Sequence, residues 1–457
     1  CAALATLPAT KPRQTTNQDT EAKTGPIRVL FLGHDSKHHN SNKFYRMLAK
    51  GLGQDGIYFD YVTTVGEAFD DVDFLNKFDA VLLYANHGTI TPEQWKNLKG
   101  YVEGGGGFVP VHCASWCFGN EPEFDQLVGG RFDSHGGGTF TAKVIKGDHP
   151  AMSGVKEFEA WDETYKHRNH NEKDRTVLMV REVAGAGDNI KKPEPWTWVR
   201  TQGKGRVFYT ASGHDERVWE QSGFHQLLKA GILWSVGDAR KQSYDKFIAE
   251  RSPLKYEKRG DIANYENRPE PLPYQFPLPA TESMKYTQAP VGFRLELFAS
   301  EPDIINPIGL AWDERGRLWA AETVDYPNEM TPDRVGNDKI KILEDTDGDG
   351  KCDKVTVFAD GLNIPTSLTF SRGGIIVAHV PDFLFLKDTD GDDKADIREV
   401  INTGWGTGDT HAGPSNLRYG FDNWIWGAVG YSSYNGTVGG EQQRCGPGVF
   451  RMKPAGS

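Results

Sequence analysis

The sequence predicts a multidomain protein in which an α/β domain with a doubly wound parallel sheet precedes an all-β region. Three observations predict this fold class. Continuous apolar runs alternate with helical patterns as far as about residue 240, the hydrophobic period changes to two after Pro290, and a chain of 457 residues is too long for one ordinary core. Strands that are buried on both faces and alternate with helices are typical of a parallel sheet covered by helices on both sides.

The composition excludes several classes of protein. Hydrophobic residues make up 37% of the chain, enough to form cores, so wholesale disorder is excluded. The 52 lysines and arginines against 63 aspartates and glutamates give a net charge of −11. Because phosphate neutralisation needs clustered cations, nucleic acid is excluded as a partner. No apolar run approaches the roughly 20 residues of a membrane-spanning helix, so no transmembrane span is predicted.

The first 25 residues differ in character from the rest of the chain. They run from small and apolar residues into a polar stretch rich in Pro, Thr and Gln. This fits either the remnant of a secretory signal or a processed lipoprotein with a lipid anchor on Cys1 and a flexible tether. Both interpretations predict an exported protein, periplasmic or anchored to the cell envelope of a bacterium. A cytosolic start is the alternative, if the sequence begins within a longer chain.

The α/β domain is predicted over residues 26–240. Its first strand leads into a helix with Phe44 and Leu48 on one face. A later helix has Thr91 as its N-cap, Pro92 at its first position and Gln94 three residues after the cap, which is typical of a capping box. The predicted buried strands are 27–33, 78–86, 108–116 and 206–215.

Histidines occupy corresponding positions at the ends of these strands. Ligands of parallel sheets bind at the carboxyl ends of the strands, so side chains that follow different strands can converge on one crevice. Four such placements are more than chance would give, and the residues are His34, His87, His112 and His214.

Residues 241–289 and the region after them change pattern. Residues 241–289 are charged and then rich in proline, and they predict a linker draped over a surface. Residues 290–457 are predicted to be a partial β-propeller, because strand–turn–strand units of similar plan recur with the spacing of propeller blades. This length holds roughly three blades, where closure takes about four to eight, so the remaining blades are expected beyond residue 457. The repeated units are 308–322, 367–379 and 415–429.

Two acidic loops in this region predict bound Ca²⁺. Carboxylates at alternate positions of a tight loop converge on one point, and Ca²⁺ prefers six to eight oxygen ligands. The first loop has Thr356 where a bidentate glutamate is usual, and the second has Asp393 where glycine is usual. The flanks are strands, so these are not helix–loop–helix hands, and acidic β-turns without metal are the alternative. The predicted ligands are Asp345, Asp347, Asp349, Asp353, Asp388, Asp390, Asp392, Asp396 and Glu399.

The α/β domain resembles the ThuA-like (trehalose-utilisation) family of the class I glutamine amidotransferase-like fold. The resemblance rests on GGGFVPVHCASW, VLFLGHDSKHH, WDETY (161–165) and GRVFYTASGHDERVW (205–219). It implies a flavodoxin-like fold and a sugar or keto-sugar substrate. At the sharp turn where the amidotransferases carry their nucleophilic cysteine, this sequence has His112, so amidotransferase chemistry is not expected. The adjacent Cys113 is expected to point away from that turn.

Three interpretations of the strand-end residues stay open. His34, His112, His214 and Glu163 could hold a divalent metal such as Zn²⁺, which suits three imidazoles and one carboxylate. Alternatively, His112 and Glu163 act as a catalytic acid/base pair while His34 and His214 bind sugar hydroxyls. In the third interpretation the histidines only satisfy buried backbone groups. Two further predicted substrate-binding residues are His135, in DSHGGG, and Trp161, which could stack on a sugar.

The C-terminal region resembles the N-terminal blades of membrane-bound dehydrogenase-type propellers, distant relatives of quinoprotein sugar dehydrogenases. The resemblance rests on IPTSLTF, the DTDGDGK loops and GDTHAGPSNLRYGFDNWIWGAVGY. It implies pyrroloquinoline quinone as a cofactor and His411 as the catalytic residue that abstracts the substrate proton. The sequence departs from relatives at Ala412 and Gly413, and a histidine that merely stabilises a turn is the alternative.

Taken together, the residues and resemblances predict an exported carbohydrate-processing protein. In this interpretation a sugar or keto-sugar domain is fused to a sugar dehydrogenase propeller. The alternative is a non-enzymatic surface module that binds carbohydrate or protein.

Overall fold

The structure is a computed structural model that describes residues 24–182, 190–261, 273–327 and 330–455. The predicted signal remnant or tether, with Cys1, therefore lies almost wholly outside the described residues. The chain divides into two compact units, with the boundary between Arg294 and Leu295. No helix in the described part is long and apolar enough to cross a membrane.

The first unit is built on an eight-stranded sheet in the order β2-β1-β3-β4-β12-β11-β10-β7. The five strands from β2 to β12 are parallel to one another, in the flavodoxin-type order. β5 pairs with β9, and β6 pairs with β8, in two small antiparallel sheets. The strands are β1 (Ile27–Leu32), β2 (Ile57–Val62), β3 (Ala80–Leu83), β4 (Gly107–Pro110), β5 (Arg131–Ser134), β6 (Gly137–Thr141), β7 (Lys143–Val144), β8 (Glu159–Glu163), β9 (Lys166–Arg168), β10 (Arg175–Arg181), β11 (Glu194–Gln202) and β12 (Gly205–Thr210).

The predicted doubly wound parallel sheet is confirmed, and the structure adds an antiparallel edge. β11 and β12 are joined by the two residues Gly203 and Lys204, a connection too short for anything but an antiparallel hairpin. This edge carries β10 and β7, and fully buried Trp196 and Trp198 on β11 extend the core beneath it.

Helices cover the sheet where the hydrophobic period places them. Phe44 and Leu48 of α1 are buried, as predicted, and so is Leu52 one turn later. The predicted capping box is present in α4, where the Gln94 N–H donates to Thr91 Oγ1 and the Thr91 N–H donates to Gln94 Oε1. The helices are α1 (Ser41–Gly53), α2 (Val65–Phe69), α3 (Val72–Leu75), α4 (Pro92–Gly104), α5 (Pro122–Val128), α6 (Glu216–Trp219), α7 (Ser222–Ser235), α8 (Asp238–Ala249) and α9 (Ala280–Met284), with 3-10 turns at His112–Trp116 and Pro150–Met152.

The segment predicted as a linker, 241–289, carries secondary structure and belongs to the first unit. It holds most of α8, the hairpin of β13 (Tyr256–Lys258) with β14 (Pro273–Gln275), and α9. The Tyr244 hydroxyl donates to the carbonyl of Asp55 at 2.6 Å, which ties α8 to the α/β domain. The boundary expected at residue 290 therefore lies at Arg294. The proline content of residues 241–289 predicted a linker because it does not show which residues pack against the α/β domain.

The second unit consists of antiparallel sheets. Two four-stranded sheets follow each other in the orders β15-β16-β17-β18 and β19-β20-β21-β22, then come a three-stranded sheet β23-β24-β27 and a two-stranded sheet β25-β26. The strands are β15 (Pro307–Trp312), β16 (Leu318–Glu322), β17 (Asp338–Glu344), β18 (Lys354–Leu362), β19 (Ser367–Ser371), β20 (Gly374–His379), β21 (Asp382–Lys387), β22 (Ile397–Thr403), β23 (Ser415–Tyr419), β24 (Ile425–Ala428), β25 (Tyr434–Val438), β26 (Glu441–Cys445) and β27 (Val449–Met452).

Each of the three predicted strand–turn–strand units is an antiparallel hairpin that starts a sheet. They are β15–β16, β19–β20 and β23–β24. One apolar cluster joins the faces of the first two sheets, through residues such as Ile342 and Val377. A second cluster joins the second and third sheets, through residues such as Phe383 and Ile425. The sheets are therefore stacked face to face.

Candidate functional site

Four side chains converge beyond the carboxyl ends of the parallel strands in the first unit. They are His39, His112, Glu163 and His214, and their ligand atoms all lie within 4.8 Å of one another. All but His214 are buried. They come from four separate segments of the chain, so the tertiary fold assembles this cluster.

The ligand atoms are spaced as they would be around one small cation. His112 Nε2 lies 3.2 Å from Glu163 Oε2, and His214 Nδ1 lies 3.2 Å from Glu163 Oε1. His39 Nε2 is 3.2 Å from His214 Nδ1 and 3.8 Å from Glu163 Oε2. Tetrahedral Zn²⁺ with bonds of roughly 2.0–2.2 Å holds its ligands about 3.3 Å apart. Three imidazoles and one carboxylate with these separations fit Zn²⁺ or a similar ion.

His112 occupies the sharp turn that follows β4. Its φ is +49°, a left-handed backbone that is uncommon for a residue with a side chain and is often found at functional sites. Its Nδ1 lies 2.6 Å from the carbonyl oxygen of Ala211. A carbonyl only accepts, so Nδ1 donates there, and if the ring carries no second proton, Nε2 presents a lone pair to the Glu163 carboxylate. Two acceptors face each other at this point unless a proton or a cation lies between them.

Asp162 anchors the backbone around two of the four residues. Its Oδ1 accepts the backbone N–H of Glu163 at 2.9 Å and of His214 at 3.1 Å, and its Oδ2 accepts that of Gly213 at 3.0 Å. Burial raises the pKa of Asp162 to about 6. Sequence reasoning missed this residue, although it precedes Glu163 in the WDETY motif.

Hydrogen bonds from two buried aromatic side chains hold the loop after β12 in place. The carbonyl of Gly213 accepts from the Tyr84 hydroxyl at 2.7 Å and from Trp219 Nε1 at 2.8 Å. Gly213 has a φ of +137°, and a Cβ at this position would lie 3.2 Å from the Cβ of His112. Glycine is therefore required for the loop to approach the His112 turn so closely.

The charges in the cluster suit a divalent cation. Burial raises the pKa of Glu163, but hydrogen bonds with His112, His214 and His39 outweigh burial and hold the pKa well below its ordinary range. Burial lowers the pKa of His39 to about 3. Burial also lowers the pKa of His214, but its hydrogen bond to Glu163 outweighs that effect and raises the pKa overall. An ionised carboxylate and a neutral imidazole are the forms that bind metals, so Glu163 and His39 suit a cation, whereas His214 must lose its proton to bind one.

Two of the histidines predicted at the strand ends do not belong to the cluster. His34 lies outside the cluster, because its Nε2 donates to the carbonyl of His39 at 2.9 Å and its Nδ1 accepts the Asn86 N–H. His39 takes the place predicted for His34, and the run of histidines in HDSKHH was the signal for it. His87 likewise bonds a backbone group, the carbonyl of Gly33.

His135 and Trp161 lie beside the cluster. His135 is partly exposed, with its Nδ1 3.5 Å from Glu163 Oε1. The ring of Trp161 is covered by the guanidinium of Arg217, whose central carbon lies 3.6 Å from the ring centroid. A Cβ on Gly137 would come within 2.7 Å of the same ring. This packing opposes the predicted stacking of Trp161 on a sugar. Cys113 is buried, and burial raises the pKa of its thiol well above its ordinary value, which disfavours a nucleophilic role.

The two acidic loops of the second unit have the same local structure. Asp345 Oδ1 accepts the Gly348 N–H at 2.7 Å, as Asp388 Oδ1 accepts the Gly391 N–H at 2.7 Å. Each loop brings three carboxylates within 4.8 Å of one another. The two sets are Asp345, Asp347 and Asp353, and Asp388, Asp390 and Asp396.

Three other predicted calcium ligands are placed outside these two sets. Asp349 and Asp392 accept the N–H groups of Lys351 and Lys394, two residues further on. Glu399 lies on β22, opposite Phe385. Glu399 was predicted as a ligand because it is the twelfth residue counted from Asp388. The spacing did not show that β22 begins at Ile397, before that position.

The unusual Asp393 of the second loop has a structural partner. Its backbone is left-handed, with a φ of +63°. Arg317 Nη1 lies 2.9 Å from both of its carboxylate oxygens. The ion pair explains why an aspartate stands where glycine is usual, since it links the loop to the β15–β16 hairpin.

His411 lines a cavity of about 580 Å³ in the second unit. Its side chain is exposed, and its Nδ1 lies 3.1 Å from Asp409 Oδ1. Among the described lining residues, Arg418 is the one lysine or arginine. Pyrroloquinoline quinone carries several carboxylates that need cationic partners, and this lining does not supply them. The cavity lining therefore does not fit the quinone.

The first unit is thus an α/β domain with a histidine- and glutamate-lined centre at the carboxyl edge of a flavodoxin-type sheet. Residues 28–235 match the family model ThuA, described as trehalose utilisation, so this domain is ThuA-like, as predicted. Residues 279–457 match a domain of unknown function, DUF7133, which leaves the propeller a prediction. No curated protein matches the chain.

Solved structures that resemble the chain include two ThuA-like proteins. A putative ThuA-like protein from Bacteroides uniformis is 20% identical, with a TM-score of 0.42, and the match covers 50% of this chain and 99% of that one. A putative ThuA-like protein from Parabacteroides merdae is 21% identical, with a TM-score of 0.41, and the match covers 46% and 90% of the two chains.

Proposed function

We propose that the ThuA-like domain is a divalent-metal-dependent enzyme that acts on a sugar or keto-sugar. The observation that carries the proposal is the contact between His112 and Glu163. The Ala211 carbonyl holds a proton of His112 on Nδ1, so without a second proton on the ring a lone pair on Nε2 faces a carboxylate oxygen at 3.2 Å. A cation held by these two residues, His39 and His214 removes the repulsion. The sugar class is suggested by the trehalose-utilisation family match.

The residues around the cluster define what the protein itself contributes. A bound Zn²⁺ or similar ion that can take a fifth ligand beside these four side chains would supply Lewis-acid polarisation of a sugar carbonyl or hydroxyl. The Ala211 carbonyl orients His112, and Asp162 holds the backbone of Glu163 and His214. His135 is an exposed histidine at the rim, and its place beside Glu163 suits it to transfer a proton to or from the substrate.

A metal-free alternative fits the same contact. If a proton lies between His112 Nε2 and Glu163 Oε2, the two residues form the acid/base pair described above. The close approach of His39 Nε2 to His214 Nδ1, at 3.2 Å, favours the metal-bound form, because it brings a third and a fourth ligand atom close to those of His112 and Glu163. A module that binds carbohydrate without converting it is the other alternative.

Elemental analysis of the purified full chain tests the proposal. We expect one equivalent of Zn²⁺, Mn²⁺ or a similar ion. We also expect metal-dependent exchange of solvent deuterium into D-fructose, used as a keto-sugar probe and followed by NMR, that stops on metal removal and returns on readdition. A metal-free chain that still catalyses exchange would favour the acid/base pair, and a metal-loaded chain without exchange would favour a binding module.

For the second unit, we infer that the stacked sheets are blades of a β-propeller. The support is the face-to-face packing of successive antiparallel sheets and the contacts of β19 with both β15 and β23, the first strands of the three sheets. Sugar dehydrogenase activity, export and a lipid on Cys1 stay predictions from the sequence.

We further propose that the two acidic loops bind Ca²⁺ and stabilise their hairpins. Ligand binding to the native state alone stabilises it by RT ln(1 + [L]/Kd), so added Ca²⁺ should raise the unfolding midpoint of the second unit and leave that of the first unmoved. Calorimetry of the full chain with and without Ca²⁺ measures both. Asp388→Asn should reduce the increment, whereas Asp360→Asn, an exposed change on β18, should not. A second-unit midpoint that is independent of Ca²⁺ would indicate bare β-turns.

A further inference from the structure

A small pocket opens directly beside the cluster of His39, His112, Glu163 and His214. Its volume is about 180 Å³, and both His39 and Glu163 contribute to its wall. Pockets that enclose drug-sized molecules measure roughly 300–1,000 Å³, so this one has room for a single ring with its substituents. Anything bound here lies next to the proposed metal.

Two polar atoms on the pocket-lining residues are buried and have no hydrogen-bond partner. They are Asn86 Oδ1 and His39 Nδ1. Native proteins rarely leave such atoms unsatisfied, because each lost hydrogen bond is costly. Asn86 Oδ1 needs a donor, and His39 Nδ1 carries the proton when Nε2 is a ligand, so it needs an acceptor. Hydroxyl groups serve both purposes.

The aromatic residues around the pocket suit the apolar face of such a ring. Trp116 is 42% exposed, and no aromatic ring or cation stacks on it among the described residues. On the same lining, the rings of Phe132 and Tyr165 lie 4.5 Å apart. Trp116 is therefore available for stacking, unlike Trp161, whose ring Arg217 covers.

The charged residues of the pocket lining indicate which charge a bound sugar can carry. No lysine or arginine lines this pocket in the part of the chain that the structure describes, whereas the Glu163 carboxylate does. A phosphorylated or carboxylated sugar would find no side-chain cation in this lining, and Glu163 would already offset part of the charge of the proposed metal. The lining therefore suits an uncharged ring.

From these observations we infer that the pocket binds one ring of a neutral sugar, with Asn86 accepting a hydroxyl and Trp116 stacking on the C–H face. Both are substrate-binding residues, placed beside the metal. The inference rests on the proposed function and deepens it, since it gives the substrate class as a neutral sugar that presents one ring to the site.

Saturation-transfer NMR of the full, metal-loaded chain tests the pocket, with D-glucose, trehalose and glucose 6-phosphate as probes. We expect D-glucose and trehalose to bind and glucose 6-phosphate to bind at least tenfold more weakly. Trp116→Ala and Asn86→Ala should each weaken D-glucose binding about tenfold, the loss expected for one stacking or hydrogen-bonding contact. Trp116→Phe, which keeps a ring, should restore most of the affinity. Trp312→Ala, which removes an exposed tryptophan of the second unit, should change nothing.

Metal content measured on each variant separates this inference from the proposed function. D-glucose affinity that is unchanged in both Trp116→Ala and Asn86→Ala, or tighter binding of glucose 6-phosphate, would overturn the pocket assignment even if the wild type holds metal. The same holds if none of the sugars binds the metal-loaded wild type. A wild-type chain that never takes up metal would instead overturn the proposed function.

Discussion

His39→Ala is expected to abolish stoichiometric metal binding to the ThuA-like domain. The substitution removes one of four ligand side chains, and His39 Nε2 lies 3.2 Å from His214 Nδ1 and 3.8 Å from Glu163 Oε2. Since even residues that merely orient metal ligands contribute about 10–100-fold to affinity, loss of a ligand should cost more than about 100-fold. Competition with a chromophoric chelator, together with elemental analysis, measures the change.

The neighbouring histidine supplies the matched control. His38 precedes His39 in the chain, but it is exposed and is not one of the four clustered residues. His38→Ala should therefore keep its metal at nearly the wild-type affinity. Native affinity in His39→Ala, or equal losses in both variants, would contradict the assignment of His39 as a ligand.

The second large effect is expected at Asp162, which does not line the pocket proposed to bind the sugar. Asp162→Asn keeps the shape of the side chain but replaces one acceptor with an N–H₂ group. In the wild type, the carboxylate accepts the backbone N–H groups of Gly213, His214 and Glu163. In the variant, the side-chain N–H₂ group would face one or two of these N–H groups, and two donors cannot form a hydrogen bond. One or two buried donors lose their partners, which should lower the free energy of unfolding of the first unit by about 3 kcal/mol. Chemical unfolding followed by circular dichroism measures this loss.

Metal affinity distinguishes a positioning role for Asp162 from a purely structural one. Because Asp162 fixes the backbone of two proposed ligands, Asp162→Asn should also lower the metal affinity by about 10–100-fold under conditions where the protein is folded. Asp133→Asn, an exposed change on β5, should alter neither quantity. A folded Asp162→Asn variant with wild-type metal affinity would show that the residue supports the fold alone.

Much of the first unit can be predicted from the sequence because its signals are local. Buried strands such as Ile27–Leu32 and the capping box of Thr91 and Gln94 depend on short-range periodicity and on hydrogen bonds between near neighbours. The same holds for the acidic loops, where aspartates at alternate positions turn toward one point within a single tight turn. In both cases the information lies within about a dozen residues.

The sequence by itself determined that histidines gather at the carboxyl edge of a parallel sheet, since strand ends of that kind always meet there. Only the tertiary structure decided that His39, and not His34, joins His112, Glu163 and His214. That choice depends on the left-handed backbone of His39, with a φ of +51°, and on partners 73 to 175 residues away in the chain. Likewise, only packing shows that Arg217 covers Trp161 while Trp116 stays exposed. The physical reason is that periodicity encodes which face of an element is buried, whereas the direction of a loop side chain is set by contacts between segments distant in sequence.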